Sequence, residues 1–253
     1  MPRRRPARPP NATPYTPDPP RRVSAAPDNG VGCGGAFLRR VARSTPRREP
    51  RVPLEPIGKT VAMAEIVLIR HGETAWSASG QHTSVTDLPL TERGERQASD
   101  LATTLARRRF TAVYSSPRIR AQRTAQLAGL TVTALDDDLA EWNYGDYEGR
   151  TTADIHTEAP DWDLWTDGAP GGEKPAEVGA RLDRVLQRAR EHLCDGDVAL
   201  VAHGHALRVA GARWIGLAAA CGGLLKLDTG TLSTLGFEHG RPVITSWNAT
   251  VTG

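Results

Sequence analysis

Three short apolar runs constrain this chain most: EIVLIR at 65–70, AVYSS at 112–116 and DVALVAHG at 197–204. Each is too short for a core helix and is bounded by charged or turn-forming residues. Glu65–Ile69 in particular has the unbroken aliphatic character of a strand covered on both faces. Helical patterns lie between the runs. Thr91 is placed to cap a helix in which Ala98, Leu101, Ala102 and Leu105 recur on one face, with Glu92 in its first turn. The segment SPRIRAQRTAQLAG, 116–129, opens a second helix, with Ser116 as cap, Pro117 at the first helical position and Gly129 as terminator. Val132–Leu135 reads as a third strand. Pro175–Cys194 reads as a helix with Val178, Leu182, Val185 and Leu186 on one face, and Ala206–Leu217 as another. Thr231–Phe237 and Pro242–Trp247 read as a closing pair of strands around His239 and Gly240. Strands alternating with helices predict an α/β domain with a mainly parallel sheet, whose ligands bind at the carboxyl ends of the strands.

Composition divides the chain near residue 62. Residues 1–62 hold 13 of the 19 prolines and carry 12 Arg and one Lys against four acids, a net charge of +9. The chain as a whole carries +3, so residues 63–253 carry −6. The basic pI therefore belongs to the N-terminal segment, and the remainder has no nucleic-acid signature. The segment has neither helical nor strand periodicity and few large apolar residues, the composition of a disordered extension. Met63, directly before the first strand, reads as an alternative start of the protein. No apolar run reaches about 18 residues, so no transmembrane helix is expected. Cys33, Cys194 and Cys221 are odd in number and lack CxxC spacing, which suits a reducing cytoplasm. Arginine outnumbers lysine 29 to 3, as a GC-rich bacterial genome produces.

The chemistry-bearing residues gather where the strands end. The first strand ends in Arg70-His71-Gly72. The second runs into Ser115-Ser116-Pro117, with Arg120 in the following turn. The late strand ends in His203-Gly204-His205. In a parallel sheet these junctions share one edge. Cations gathered there repel one another unless an anion sits among them, and guanidinium forks match phosphate oxygens. Gly72 allows close backbone approach beside His71. A neutral imidazole facing phosphorus can attack in line and form a phosphohistidine. Arg70, Arg120 and His203 are then placed to stabilise the equatorial oxygens. Glu141, in the aromatic loop LAEWNYGDYEG, is the candidate acid for the leaving oxygen. His205 follows two residues after His203, and the spacing does not fix its direction. His82, His156, His192 and His239 read as structural. No HExxH or Cys/His ligand set accompanies these residues, so neither metal nor cofactor is implied.

The blocks LIRHGET, SSPRIRAQRTA, EWNYGDYEG and VAHGHALR, in this order over 64–248, resemble the motifs of the histidine phosphatase superfamily, the phosphoglycerate mutase-like group. The resemblance implies a three-layer α/β/α sandwich. It assigns His71 as the phosphorylated nucleophile, Arg70, Arg120 and His203 as the phosphate pocket, and Glu141 as general acid and then base. ETAWSASGQHTSVTDLPLTERG resembles the small acid- and sugar-phosphatase branch. Ser77 stands where the mutases usually carry Asn, and their longer insertion after the general acid is absent. Ser84 stands where Gly is common, so Thr83 and Ser84 carry over less directly as parts of the pocket rim. The implied activity is hydrolysis of a small phosphorylated metabolite. A mutase, or a phosphate-binding module without catalysis, are the alternatives. Oligomeric state is not legible.

Overall fold

Alternate residues of the first strand point into two different cores, and this alternation defines the layers. A computed structural model of the chain describes residues 64–251; the Pro/Arg-rich segment 1–62 and Met63 lie outside the described residues. The strands and helices run β1 (Ile66–Arg70), α1 (Ala75–Ser79), α2 (Glu92–Leu105), β2 (Phe110–Ser115), α3 (Ile119–Leu127), β3 (Ala134–Leu135), α4 (Thr152–His156), α5 (Leu164–Asp167), α6 (Pro175–His192), β4 (Asp197–Ala202), α7 (Gly204–Trp214), β5 (Leu232–Glu238) and β6 (Arg241–Ala249). Ile66 and Leu68 pack with Val198, Leu200 and the inner faces of α6 and α7. Val67 and Ile69 pack with Ala199, Val201 and residues of α2 and α3. The sheet is thus sandwiched between two helical layers. Each fully buried aliphatic side chain in these layers contributes about 1.5–3 kcal/mol.

The sheet has six strands in the order β3-β2-β4-β1-β5-β6. The pairings β3–β2, β2–β4 and β4–β1 are parallel. The pairings β1–β5 and β5–β6 are antiparallel, so the sheet is mainly parallel with an antiparallel edge. The ends of β2, β4 and β1 are neighbours. No helix among the described residues is long and apolar enough to cross a membrane.

Several boundaries differ from expectation, for identifiable reasons. Ser116 does not cap α3; that helix begins after Arg118, which is still extended. Pro117 disfavours a helical conformation at Ser116, and the Ser116 hydroxyl faces His203 instead. The strand expected at 132–135 keeps only Ala134–Leu135. One residue earlier, the Thr133 hydroxyl accepts the Val113 N–H at 3.0 Å in place of a backbone carbonyl, which interrupts the ladder. The helix expected from Ala206 starts at Gly204, with His203 at its N-cap. Inside the loop before Pro89 lies the unexpected α1, closed by a reciprocal Thr74–Ser77 capping box.

Candidate active site

The neighbouring ends of β1, β4 and β2 bring together His71, His203 and Ser116. His71 is 5% exposed. Its Nδ1 lies 2.7 Å from the Gly72 carbonyl oxygen. A carbonyl can only accept, so Nδ1 carries the proton and Nε2 keeps its lone pair. Burial, then the positive charges of Arg120 and Arg70, hold the imidazole well below its ordinary pKa, so it is neutral. The His203 ring meets it edge-on, with centroids 5.2 Å apart. His203 Nδ1 accepts from Arg120 Nε at 3.2 Å, which leaves Nε2–H to donate to Ser116 Oγ at 2.7 Å. Burial and Arg120 keep His203 neutral as well.

Arg70 passes over Gly204, where an added Cβ would stand 3.1 Å from the guanidinium carbon. One guanidinium nitrogen donates to the Leu227 carbonyl. Its Nε is buried and finds no partner among the described residues. An unpaired buried guanidinium nitrogen is costly, and an anion resolves it. Glu141 reaches the same place. Its carboxylate accepts the N–H groups of Trp142 (2.9 Å), His205 (3.0 Å) and Ala206 (2.8 Å), two of them from the first turn of α7. Three backbone donors fix its position at that helix end.

A cavity of about 240 Å³ opens here, lined among others by Arg70, His71, Ser77, Thr83, Glu141 and His205. Five of the expected site residues therefore share one wall space. Arg120 and His203 do not line it; both are fully buried behind His71. The Arg120 side chain is spent on protein groups: besides His203 Nδ1 it donates to the carbonyls of Thr86 (3.1 Å), Thr83 (3.2 Å) and Ser84 (3.3 Å). Gly72 does not line the cavity either. Its close approach is to Gly94, whose carbonyl oxygen would stand 2.2 Å from an added Cβ. The Ser77 hydroxyl serves the α1 capping box, accepting from Thr74 N at 2.8 Å.

Sequence reasoning missed three contributors, His82, Arg208 and Glu148; Tyr144, in the aromatic loop with Glu141, is a further one. His82, expected as structural, lines the cavity. Arg208 lines it one turn after His205, with Nε and Nη2 donating to the Gly222 and Gly223 carbonyls and the guanidinium stacked 4.4 Å above Trp165. Tyr144 contributes its ring, and its hydroxyl is 2.5 Å from His205 Nδ1. Glu148 acts from outside: its carboxylate accepts the N–H groups of Ser84 (2.9 Å) and Thr86 (3.0 Å). The 83–86 loop is thereby held by an anion on its N–H groups and by Arg120 on its carbonyls. For Tyr144, Glu148 and Arg208 the signals were present inside EWNYGDYEG and VAHGHALR, but nothing in the spacing said which side chains turn inward.

A family model described as "Histidine phosphatase superfamily (branch 1)" matches residues 66–250. The chain is 44% identical over 177 residues to an acid phosphatase of Mycobacterium tuberculosis, across 69% of this chain and 87% of that one. It is 38% identical over 183 residues to sedoheptulose 1,7-bisphosphatase of Saccharomyces cerevisiae, across 60% and 67% of the two chains. Among solved structures, the product of open reading frame Rv3214 of M. tuberculosis superposes with a TM-score of 0.72 at 41% identity, covering 75% of this chain and 99% of that one.

Proposed function

The chain belongs to the histidine phosphatase superfamily, and we propose that it is a phosphomonoesterase of the acid-phosphatase type acting on small sugar phosphates through a phosphohistidine. The observation that carries the roles is the state of His71: neutral, with Nδ1–H held by Gly72 and Nε2 free beside the cavity. In this reading Nε2 attacks phosphorus as the bond to the ester oxygen breaks. Glu141 delivers a proton to that oxygen, and the alcohol leaves. Glu141 then takes a proton from water, the water oxygen attacks phosphorus, and the N–P bond breaks to release phosphate.

Arg70 supplies the direct contact to the phosphoryl oxygens, since its Nε is buried and unsatisfied by the described residues. Arg120 contributes charge rather than a hydrogen bond, because its donors are taken by His203 and the 83–86 loop. Through that charge it helps to keep His71 neutral and favours negative charge on the transferring group. The names of the relatives, an acid phosphatase and a sedoheptulose 1,7-bisphosphatase, support the substrate class. A reducing cytoplasm fits the same reading, since Cys194 and Cys221 form no disulfide among the described residues.

The test is phosphate release from p-nitrophenyl phosphate and from a panel of sugar phosphates by the purified chain, with and without EDTA. Release that persists in EDTA and traps phosphate on His71 after a denaturing alkaline quench, in which the N–P bond survives, supports the reading. Release that collapses in EDTA, or a trapped label on another residue, overturns it.

A further inference from the structure

A second chamber of about 340 Å³ adjoins the first and is lined by His82, Thr152, His156, Trp162, Trp165 and His205, with Asp163 and Leu164. His82, Thr152 and His205 also line the cavity at His71, so the two spaces share a wall. The first chamber alone, at about 240 Å³, is smaller than the roughly 300–1,000 Å³ of ligand pockets. His82 stands on the shared wall. It is 8% exposed, and its Nε2 is buried without a hydrogen-bond partner among the described residues. Its ring lies 4.6 Å from that of Tyr144, 5.9 Å from Trp162 and 6.1 Å from His205. A buried ring nitrogen left unpaired beside a cavity costs stability unless a ligand completes it.

The lining of the second chamber holds no arginine or lysine to bind another anion. Its walls are aromatic rings and imidazoles, and burial lowers the pKa of both His82 and His205, which leaves them uncharged. Its one carboxylate, on Asp163, would repel an anion. The nearest guanidinium, on Arg208, belongs to the first chamber and is held by two carbonyls and the Trp165 face. Faces of this kind suit the C–H surface of an uncharged ring, with a polar group to meet the buried, unpartnered Nε2 of His82.

We propose that the alcohol part of the substrate extends past His71 into this second chamber, that it is a hydroxyl-bearing ring packed against Trp162 and Trp165, and that His82 Nε2 is the group that reads its hydroxyl. The inference rests on the phosphatase reading above and narrows its substrate class. His82 is then a specificity residue, and α4 and α5 supply the chamber rather than the chemistry.

Three phosphate esters separate the elements of the proposal: glucose 6-phosphate (ring with hydroxyls), cyclohexylmethyl phosphate (ring without them) and glycerol 3-phosphate (hydroxyls without a ring). The readout is the ratio of kcat/KM between them, in the full chain. The wild type should favour glucose 6-phosphate over glycerol 3-phosphate at least tenfold. His82→Phe keeps the ring and removes the nitrogen. It should cut kcat/KM for glucose 6-phosphate about tenfold relative to cyclohexylmethyl phosphate, mostly through KM. His82→Gln, which restores a donor, should recover part of the loss. Thr152 is exposed, so Thr152→Trp should fold and crowd the passage; it should lower both ring esters relative to glycerol 3-phosphate. If neither the three esters nor p-nitrophenyl phosphate is hydrolysed, the phosphatase reading falls and this inference with it; if only p-nitrophenyl phosphate is hydrolysed, the inference alone is overturned. If all are hydrolysed but the ratios are equal, or do not move in His82→Phe and Thr152→Trp, the second chamber is not the substrate's and the inference alone is overturned.

Discussion

One wall of the cavity is made by strand ends, the other by loops and short helices, and they are held by different forces. On the first wall, Arg70 and His71 follow β1, and Gly204 and His205 follow β4. Both strands are buried on both faces and registered residue for residue from Ile66–Val198 to Arg70–Ala202. Their positions are set by the sheet. On the second wall, the 83–86 loop and α4 are positioned by polar contacts: the Glu148 carboxylate, the Arg120 fork and the Thr151–Asp154 capping box of α4; Tyr144 alone reaches it from the apolar core. The first wall is rigid through apolar burial and carries the reacting groups. The second is held by a handful of charge-assisted hydrogen bonds and shapes what enters.

The comparison is broken most severely on the first wall. His71→Ala removes the nucleophile while leaving Arg70 and Glu141 in place. Phosphate release from p-nitrophenyl phosphate should fall by at least ~10³-fold, with KM little changed, because the lost group acts only in the transition state. Near-normal turnover in this variant would mean that the strand-end wall does not hold the chemistry.

Glu141 lies where the walls meet, anchored by N–H groups of α7 but carried on the aromatic loop. Glu141→Gln should lower kcat/KM, which reports phosphoenzyme formation and not the later water attack that Glu141 also serves as base, by roughly 10²–10⁴ for an alkyl phosphate, the usual range for a lost general acid. For p-nitrophenyl phosphate, whose leaving group departs without a proton, the loss should be clearly smaller. Equal losses for both esters would assign Glu141 to positioning alone. The contrast is needed because the variant also faces three N–H donors with a less suitable partner.

The second wall should respond more weakly and in a different parameter. Glu148→Gln removes the charge from the bonds that hold Ser84 and Thr86. Stability should fall by about 1–2 kcal/mol, which in a domain of this size lowers Tm by ~2–4 °C for each kcal/mol. KM for a sugar phosphate should rise several-fold while kcat falls less. A larger fall in kcat than in 1/KM would show that the 83–86 loop serves the reacting groups through Arg120, and the distinction between the walls would dissolve.

The same division governs what the sequence disclosed. An arginine, a histidine and a glycine at the end of an aliphatic run are anomalous on local grounds alone, because burial of such groups demands a partner. The parallel sheet then places every such junction on one edge. His71 and Arg70 were legible for that reason, and Glu141 as the acid of the aromatic loop; the two-sided burial of the first strand was legible in its composition, whereas the β1–β4 pairing comes from the structure. Arg120 was legible as buried charge near His203, but its saturation by the carbonyls of Thr83, Ser84 and Thr86 depends on a loop closing over it, which no local pattern encodes. Gly72 was marked as a point of close approach, yet the approaching backbone is that of Gly94, on a helix whose packing angle is a tertiary property. His82 sits in a polar loop with nothing around it in sequence to distinguish it from a surface histidine. Its role follows only from the aromatic rings that 142–165 fold against it.

The gentlest probe of the comparison is pH, because three imidazoles on or behind the first wall are kept neutral. Burial is the first cause for His71, His203 and His205, and each folded-state pKa lies well below the ordinary 6.5. In the unfolded chain these groups take up protons as pH falls through about 6.5, while the folded site refuses them. The unfolded state then binds more protons, so stability that is complete above 6.5 declines as pH drops below it. Each refused proton contributes a slope of ~1.4 kcal/mol per pH unit. Thermal melts between pH 7.5 and 5.5, a range above ordinary carboxylate titration, should show Tm falling with acid. His203→Gln keeps an acceptor for Arg120 and removes one imidazole, so its Tm should depend less steeply on pH. Catalysis should follow the opposite trend: with His71 still unprotonated, kcat/KM for p-nitrophenyl phosphate should persist at pH 5.5 while stability declines. A Tm that is flat or rises on acidification would mean that these imidazoles take up protons in the folded site, and a neutral His71 could no longer be the basis for the chemistry of the first wall.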